Sequence, residues 1–443
     1  MILFLSNSGE SLPLVYRLNQ AGAEAKIYIH SPKYKSNYEG LVDRLPLSKL
    51  KSAAKRAEAV VVDIVRPNEK TKQDRNLLKV FGANVTSPEV FGAVADKIRK
   101  DTPVIGASSE TATWELDRNK GTEIAKKAGI QVPESVDFSS LKDGVRYLKK
   151  HDDQRWVFKP HDNQDLDLTY VESWPGELLV KLEGEYRERL GNKFEYMLQK
   201  MIDGIEISTE GWFDGEEFVF FNHTIEDKKL MNGNKGMAIG SQGNTVWVKQ
   251  GKGLLVDELK RLAPLLRDAG YMGPVDVNCI VSEADQKPYF LEWSPRLGWD
   301  AFYCLHQLMD TSLEDFFTGG FRASWHDGYA SSQRVTIPPF PYSEPSLLKD
   351  FAKGVRIMGE LAGMDNFFAE DVRQGDDGLE CAGADGIIGV MAARGNSLGG
   401  SVGNMYRSLD TLKVAADRQY RTDGGKRAEK ALKQFEKWGV NVE

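Results

Sequence analysis

Cysteine is scarce in this chain: three in 443 residues, Cys279, Cys304 and Cys381. None forms a C-x-x-C pair or a zinc spacing, so neither a disulfide scaffold nor a cysteine-built metal site is expected, and a reducing, cytoplasmic setting fits. The chain lacks any apolar run long enough to span a bilayer. Its opening MILFLSNSGE has only four consecutive apolar residues after the methionine. No membrane role and no secretory leader is expected from such a pattern. Surplus positive charge is missing too, with 58 Lys and Arg against 65 Asp and Glu and a formal net charge of −7. A nucleic-acid partner is therefore not expected. One stretch lacks a residue type that is plentiful elsewhere. The chain has 42 glycines, yet KPHDNQDLDLTYV, starting at Lys159, has none and carries Asp162, Asp165 and Asp167. Phosphate-cradling loops favour glycine because backbone N–H groups must approach the anion closely.

What is present reads as a multi-domain globular protein, with 41% hydrophobic and 28% charged residues. The first hundred residues alternate apolar runs with helical stretches. MILFLS, AKIYIH and AEAVVVDIV read as buried strands, and GANVTS as a fourth; SLPLVYRLNQAG reads as a helix. This alternation predicts an α/β fold with a parallel sheet. The turn LSNSGES follows the first strand, at the end where such sheets bind ligands, and a plain helix cap is the ordinary alternative. PVIGAS reads as a further strand and turn. A helix then runs from a cap at Asp117 to Gly129. QRWVFKP and FEYMLQKMI read as strands, and Asp214-Gly215 marks a hairpin. LLVDELKRLAPLLRDAG has the period of one helix. GPVDVNCIV, KPYFLEWSP and GIIGVMAARG are strand-like, and KRAEKALKQFEKWGV is an amphipathic helix that packs on its own domain.

Several residues in this frame carry chemistry. Lys120 stands at a helix start and Lys159 at a strand end. Glu206 follows a turn at Gly204. Asp276 and Glu292 lie on neighbouring strand-like segments joined by a polar turn, and two carboxylates so placed suit Mg²⁺ (or Mn²⁺) holding nucleotide phosphates. Arg296 can stabilise charge on a transferring phosphoryl group. Taken singly, each has an ordinary reading as a solvated side chain; their order is what informs.

That order resembles the ATP-grasp superfamily and, within it, the glycinamide ribonucleotide synthetase (phosphoribosylamine–glycine ligase) family. PVIGAS…NKGTEIAKKAGIQVPES resembles that family's P-V-x-G-P-S…S-K-x-x-A-K helix. LQKMIDGIEIS resembles E-E-x-L-x-G-E-E-x-S. EDKKLMNGNKGMAIGSQG follows D-H-K-R-x-x-D-G-D-x-G-P-N-T-G-G-M-G, FLEWSPRLGWD resembles L-E-F-N-x-R-F-G-D, and the tail includes a Y-R-x-D-x-G-x-R-A-like close. The resemblance implies three parts: residues 1–110 as an N-terminal α/β substrate-side domain, 111–330 as the ATP-grasp domain of two α+β subdomains, and 331–443 as a small C-terminal α/β domain. It implies an ATP-dependent amide ligase acting through an acyl phosphate on an amine and an amino acid, as a monomer or homodimer. Lys120, Lys159, Gln199 and Glu206 would hold ATP, and Asp276, Glu292 and Ser294 the metal. Arg296 and Lys228 would serve the chemistry, and Gly9, Gly240, Gly243 and Asp300 the substrate.

The departures fall on the substrate and phosphate side. Ser8 stands near the position of an arginine in the first turn. Asn232 and Asn234 replace two acids, Ser294 replaces an asparagine, and Trp299 displaces the acid to Asp300. HDNQDLDL aligns with the glycine-rich loop D-G-L-A-A-G-K-G. Three readings compete: the usual phosphoribosylamine–glycine ligase, a ligase for another amine, and an inactive binding protein. For Asp162, Asp165 and Asp167, metal binding, attraction of a cationic amine and a solvated loop all stay open. The stretch is not expected to cradle phosphate with glycine amides.

Overall fold

The computed structural model describes residues 1–161, 168–249, 251–359 and 361–442, so Asp162, Asp165 and Asp167 lie outside the described residues. The chain forms two compact units. Unit 1 comprises Met1–Ala112, Ile207–Val277 and Ser294–Glu443; unit 2 comprises Thr113–Glu206 and Asn278–Trp293.

Unit 1 begins with a parallel sheet of β1 (Ile2–Ser6), β2 (Ala25–Ile29), β3 (Ala59–Val62) and β4 (Val104–Ile105), in the order β2-β1-β3-β4. β1 and β3 are buried on both faces, the reason their sequences are continuous apolar runs. The helix Leu12–Gln20 follows the first turn as expected. GANVTS, expected as a strand, is not one. The helix Lys72–Phe81 ends at Gly82 in the left-handed conformation, and the fourth strand is Val104–Ile105.

Unit 2 has the helix Arg118–Ala128, capped by Asp117 and ended by Gly129 at φ 85°. Its sheet joins β5 (Ser135–Ser140), β6 (Trp156–Pro160), β7 (Tyr170–Val171) and β8 (Lys193–Lys200), in the order β5-β8-β6-β7. Trp156, Phe158, Tyr196 and Leu198 enter one core with Leu178 and Tyr186.

The second sheet of unit 1 is antiparallel. It uses β9 (Gly204–Phe213), β10 (Phe218–Met231), β11 (Lys235–Lys249), β12 (Gly273–Ser282) and β14 (Tyr329–Thr336), with β13 (Pro288–Ser294) lying between the last two in sequence. The order runs β12-β9-β10-β11-β14 and continues through Ile387–Gly395 to Phe367–Ala369. The hairpin at Asp214-Gly215 forms, with the Asp214 N–H donating to Glu217 O at 3.0 Å. The single helix expected over 254–270 is instead Val256–Lys260 and Ala263–Asp268. Pro264 has no N–H to continue the ladder. The last helix, Lys426–Trp438, buries Ala428, Ala431 and Phe435. Among the described residues no helix is long and apolar enough to cross a membrane.

Candidate active site

Unit 2 brings together Lys120, Lys159, Gln199, Glu206 and Glu292. β6 and β8 pair antiparallel with Val157 opposite Gln199 and Lys159 opposite Met197. Opposed residues share a face and successive residues alternate. Lys159 and Gln199 therefore share the face that the core residues Phe158 and Leu198 leave. Forty residues apart in sequence, they become neighbours through strand register. Lys120 sits in the first turn of its helix, where the Asp117 carboxylate accepts from the Asn119 and Lys120 N–H groups at 2.9 and 3.1 Å. Its ammonium lies 3.7 Å from Glu123. Trp293 Nε1 donates to Gly121 O at 2.9 Å, which ties the strand of Glu292 to the helix of Lys120.

Sequence reasoning missed Arg118. Its Nε donates to Pro160 O, next to Lys159, at 3.0 Å. Burial lowers the guanidinium's pKa, and the charge of Glu292 works the other way. Its place one residue after a helix cap was the one available signal.

Unit 1 holds Asp276, Ser294, Arg296, Lys228, Gly9, Gly240, Gly243 and Asp300. On β12, Val275 and Val277 are fully buried while Asp276, on the alternate face, is half-buried. Arg296 acts electrostatically on Glu210, a buried carboxyl on β9 that the sequence did not single out. Burial pushes Glu210 up to about 7, against the hydrogen bond from Trp212 Nε1 and the charge of Arg296. Lys228 pairs with Glu226 at 3.7 Å on β10.

The glycine-rich run 233–243 forms the turn and the start of the second strand of the β10–β11 hairpin. Asn232 Nδ2 donates to Thr422 Oγ1 at 2.7 Å, and Gly233 N–H to Asp423 at 2.7 Å. Arg421, buried beneath, donates to Asp423 at 2.8 and 3.0 Å and to Lys229 O at 3.1 Å. The C-terminal tail thus anchors the hairpin that carries Lys228. Gly243 has a packing reason, since a Cβ there would meet Ser332 O at 2.7 Å; Gly240 needs φ +81°.

Gly9 makes the first turn at φ +91°, its N–H donating to Ser6 Oγ at 2.7 Å. Glu10 follows, its carboxylate accepting from Ser8 Oγ at 2.5 Å and Ser6 Oγ at 3.3 Å. Asp300 is buried and accepts from Arg334 Nη2 at 2.9 Å. Glu370 and Asp385 lie in the same electrostatic neighbourhood. No local motif flagged Arg334, Glu370 or Asp385.

No family profile matches the chain. The phosphoribosylamine–glycine ligase of Clostridium acetobutylicum is 21% identical, over 79% of this chain and 90% of that one. The phosphoribosylamine–glycine ligase structure from Thermotoga maritima superposes with a TM-score of 0.68 at 16% identity, covering 95% of this chain and 99% of that one. The biotin carboxylase domain of 2-oxoglutarate carboxylase from Hydrogenobacter thermophilus, solved with MgADP and bicarbonate, has a TM-score of 0.55 at 14% identity, over 94% and 90% of the two chains. These likenesses agree with the family resemblance of the sequence as a whole. The chain is a divergent protein of ATP-grasp fold that is similar to phosphoribosylamine–glycine ligase.

Proposed function

We propose that the chain is an ATP-dependent carboxylate–amine ligase that forms an amide through an acyl phosphate. The observation that carries this reading is the face of the unit 2 sheet on which Lys159 and Gln199 stand together, opposite its core. On this reading Lys120 and Lys159 neutralise the nucleotide phosphates, Gln199 hydrogen-bonds the adenine and Glu206 the ribose. Asp276, Glu292 and Ser294, the expected metal ligands, each offer oxygen donors of the kind Mg²⁺ prefers. Among the described residues no three His, Cys, Asp or Glu side chains form a ready-made metal cage. Bound there, the ion would neutralise phosphate charge.

Arg296 and Lys228 stabilise the charge of the transferring group and the departing phosphate. The substrate carboxylate oxygen bonds to the γ-phosphorus as the bridging P–O bond to ADP breaks. The amine nitrogen then bonds to the acyl carbon, the C–O bond to phosphate breaks, and the nitrogen sheds a proton. Phosphoribosylamine and glycine are the reference pair, taken from the names of the similar ligases. A second reading, a different amine, is favoured by the carboxylates gathered around Glu10 and Arg334.

The test is ADP release from Mg-ATP across a panel of amines and amino acids. A productive pair is expected, with kcat/KM falling about a hundredfold or more in Lys159→Ala, the scale of losing electrostatic stabilisation. Absence of ADP with every pair, together with unchanged nucleotide binding in Glu292→Gln, would remove the ligase reading.

A further inference from the structure

The end of the parallel sheet in unit 1 carries more negative charge than its fold uses. Six segments meet there: the turn after β1 with Glu10, the end of β3 with Asp63, the helix Trp299–Leu308 with Asp300, β14 with Arg334, and the two segments holding Glu370 and Asp385. Tyr303 fixes the meeting point by donating to Glu10 O at 2.8 Å, and its ring stacks on Phe368 at 4.2 Å. Asp371 needs no cation. Its carboxylate accepts the N–H groups of Ala384, Asp385 and Gly386 at 2.8–3.0 Å, and so holds Asp385 in place.

The other acids are left in excess. Asp63, 0% exposed, accepts from Ser11 Oγ on one oxygen at 2.6 Å, and its Oδ1 has no hydrogen-bond partner. Asp300, 2% exposed, spends Oδ1 on Arg334, and its Oδ2 has none. Its charge acts directly on Glu370 and Tyr303, which places it in the basin. Arg334, half-buried, is the cation that acts on Asp300, Glu370 and Asp385; Lys33, which also acts on Asp385, is exposed. Glu10, Glu370 and Asp385 are only half-buried. Burial and mutual repulsion hold Asp63, Glu370 and Asp385 above the usual carboxylate range, as expected where anions outnumber cations.

A phosphate would face these carboxylates at short range in a low dielectric, where like charges repel strongly. The acids do not converge closely enough to form a metal cage among the described residues. The complementary ligand is a molecular cation, larger than a metal ion and able to donate several N–H bonds. An alkylammonium, with three donors, meets both demands.

We propose that this basin of unit 1 binds a small molecule through a protonated amine, and that the amine substrate is a cationic one carrying no phosphate. The second half rests on the ligase reading; the binding site does not.

The test is calorimetric titration of the full chain at low ionic strength with 1,3-diaminopropane, spermidine and ribose 5-phosphate. The amines are expected to bind, and ribose 5-phosphate to bind more weakly than either. Glu370→Gln and Asp385→Asn should each weaken amine binding about tenfold or more, the scale for losing a buried charged partner. Glu188→Gln, an exposed acid in unit 2, should leave it unchanged and so separates the site from general attraction to an acidic protein. Glu10→Gln replaces either variant that fails to fold by circular dichroism. Tighter binding of ribose 5-phosphate, or equal amine affinity in wild type and basin variants, overturns the site. Amine binding without ADP release from any carboxylate–amine pair removes the ligase reading and leaves the site standing. ADP release with phosphoribosylamine alone removes the proposed substrate class.

Discussion

Two arginines of unit 1, Arg421 buried and Arg334 half-buried, differ in how completely their surroundings use them. Arg421 is closed. Each of its three guanidinium nitrogens donates, two to Asp423 and one to Lys229 O, and Asp227 lies 3.5 Å away. Arg334 is open. It spends Nη2 on Asp300 and Nη1 on Ile239 O, and its Nε has no hydrogen-bond partner. Burial works against both charges, and acidic neighbours outweigh it in both, so both pKa values stay above the ordinary arginine value. The difference lies in what is left over. Around Arg421 every guanidinium nitrogen is used, as in a structural tie, although Asp227 Oδ1 beside it has no hydrogen-bond partner. Around Arg334 the carboxylates exceed what one guanidinium can neutralise, and Arg334 Nε and Asp300 Oδ2 both remain without hydrogen-bond partners. Spare buried polar capacity is costly to a fold, so its place beside the first βα turn is better explained by a ligand than by stability.

This contrast can be broken by measurement. The largest effect is expected at Arg421. Arg421→Ala leaves Asp423 and Asp227 without their cation and should cost about 3–5 kcal/mol in urea unfolding, the scale for breaking a buried pair. A loss within error would show that the tail does not anchor the hairpin.

The next effect has the opposite sign and depends on pH. Burial, then repulsion from Asp371, pushes Asp385 up to about 7. In the unfolded chain an aspartate loses its proton near about 4. Below that pH both states are protonated and the group is neutral to stability. Between it and about 7 the unfolded state releases the proton first, so stability falls as pH rises. Asp385→Asn should therefore stabilise the protein at pH 8 by on the order of 2 kcal/mol and leave it unchanged near pH 4. A pH-independent difference between the two proteins would count against an uncompensated acid.

The smallest effect sharpens the closed side. Asn232 donates to Thr422 Oγ1 and accepts the Thr422 N–H at 3.0 Å, both at an exposed hairpin tip. Asn232→Ala should cost about 1 kcal/mol, the net value of ordinary hydrogen bonds. A penalty as large as that of Arg421→Ala would mean that the tip, rather than the buried arginine, carries the anchor.

Legibility in the sequence followed the range of the interaction concerned. The helix Arg118–Ala128 was readable because its signals are local: Asp117 at one end and Gly129 at the other. β1 and β3 were readable as apolar runs, and the Asp214-Gly215 hairpin as a turn. GANVTS failed because Gly82 acts as a helix end whatever the β propensity of the residues after it. The helix over 254–270 failed because its apolar period continues across Pro264 although the backbone cannot.

In the site, the order of Lys120, Lys159, Glu206, Glu292 and Arg296 was legible through resemblance. Arg118, Glu210, Glu370 and Asp385 were not, because their interest comes from burial and from neighbours distant in sequence. Arg421 stood in a motif recognised by its letters alone; its function as an anchor needed the contact with the hairpin.

By itself, then, the amino-acid sequence determined the local elements, the alternation that makes a parallel sheet, and the succession of motifs that resembles the ATP-grasp superfamily. These depend on backbone propensity and apolar period, which act over a few residues. Only the tertiary structure decided that Lys159 and Gln199 share a face, that the tail pins the hairpin of Lys228, and that the acids near Glu10 outnumber their cations. Strand register, burial and Coulomb energy bring together residues tens to hundreds of positions apart, and no window of sequence contains them.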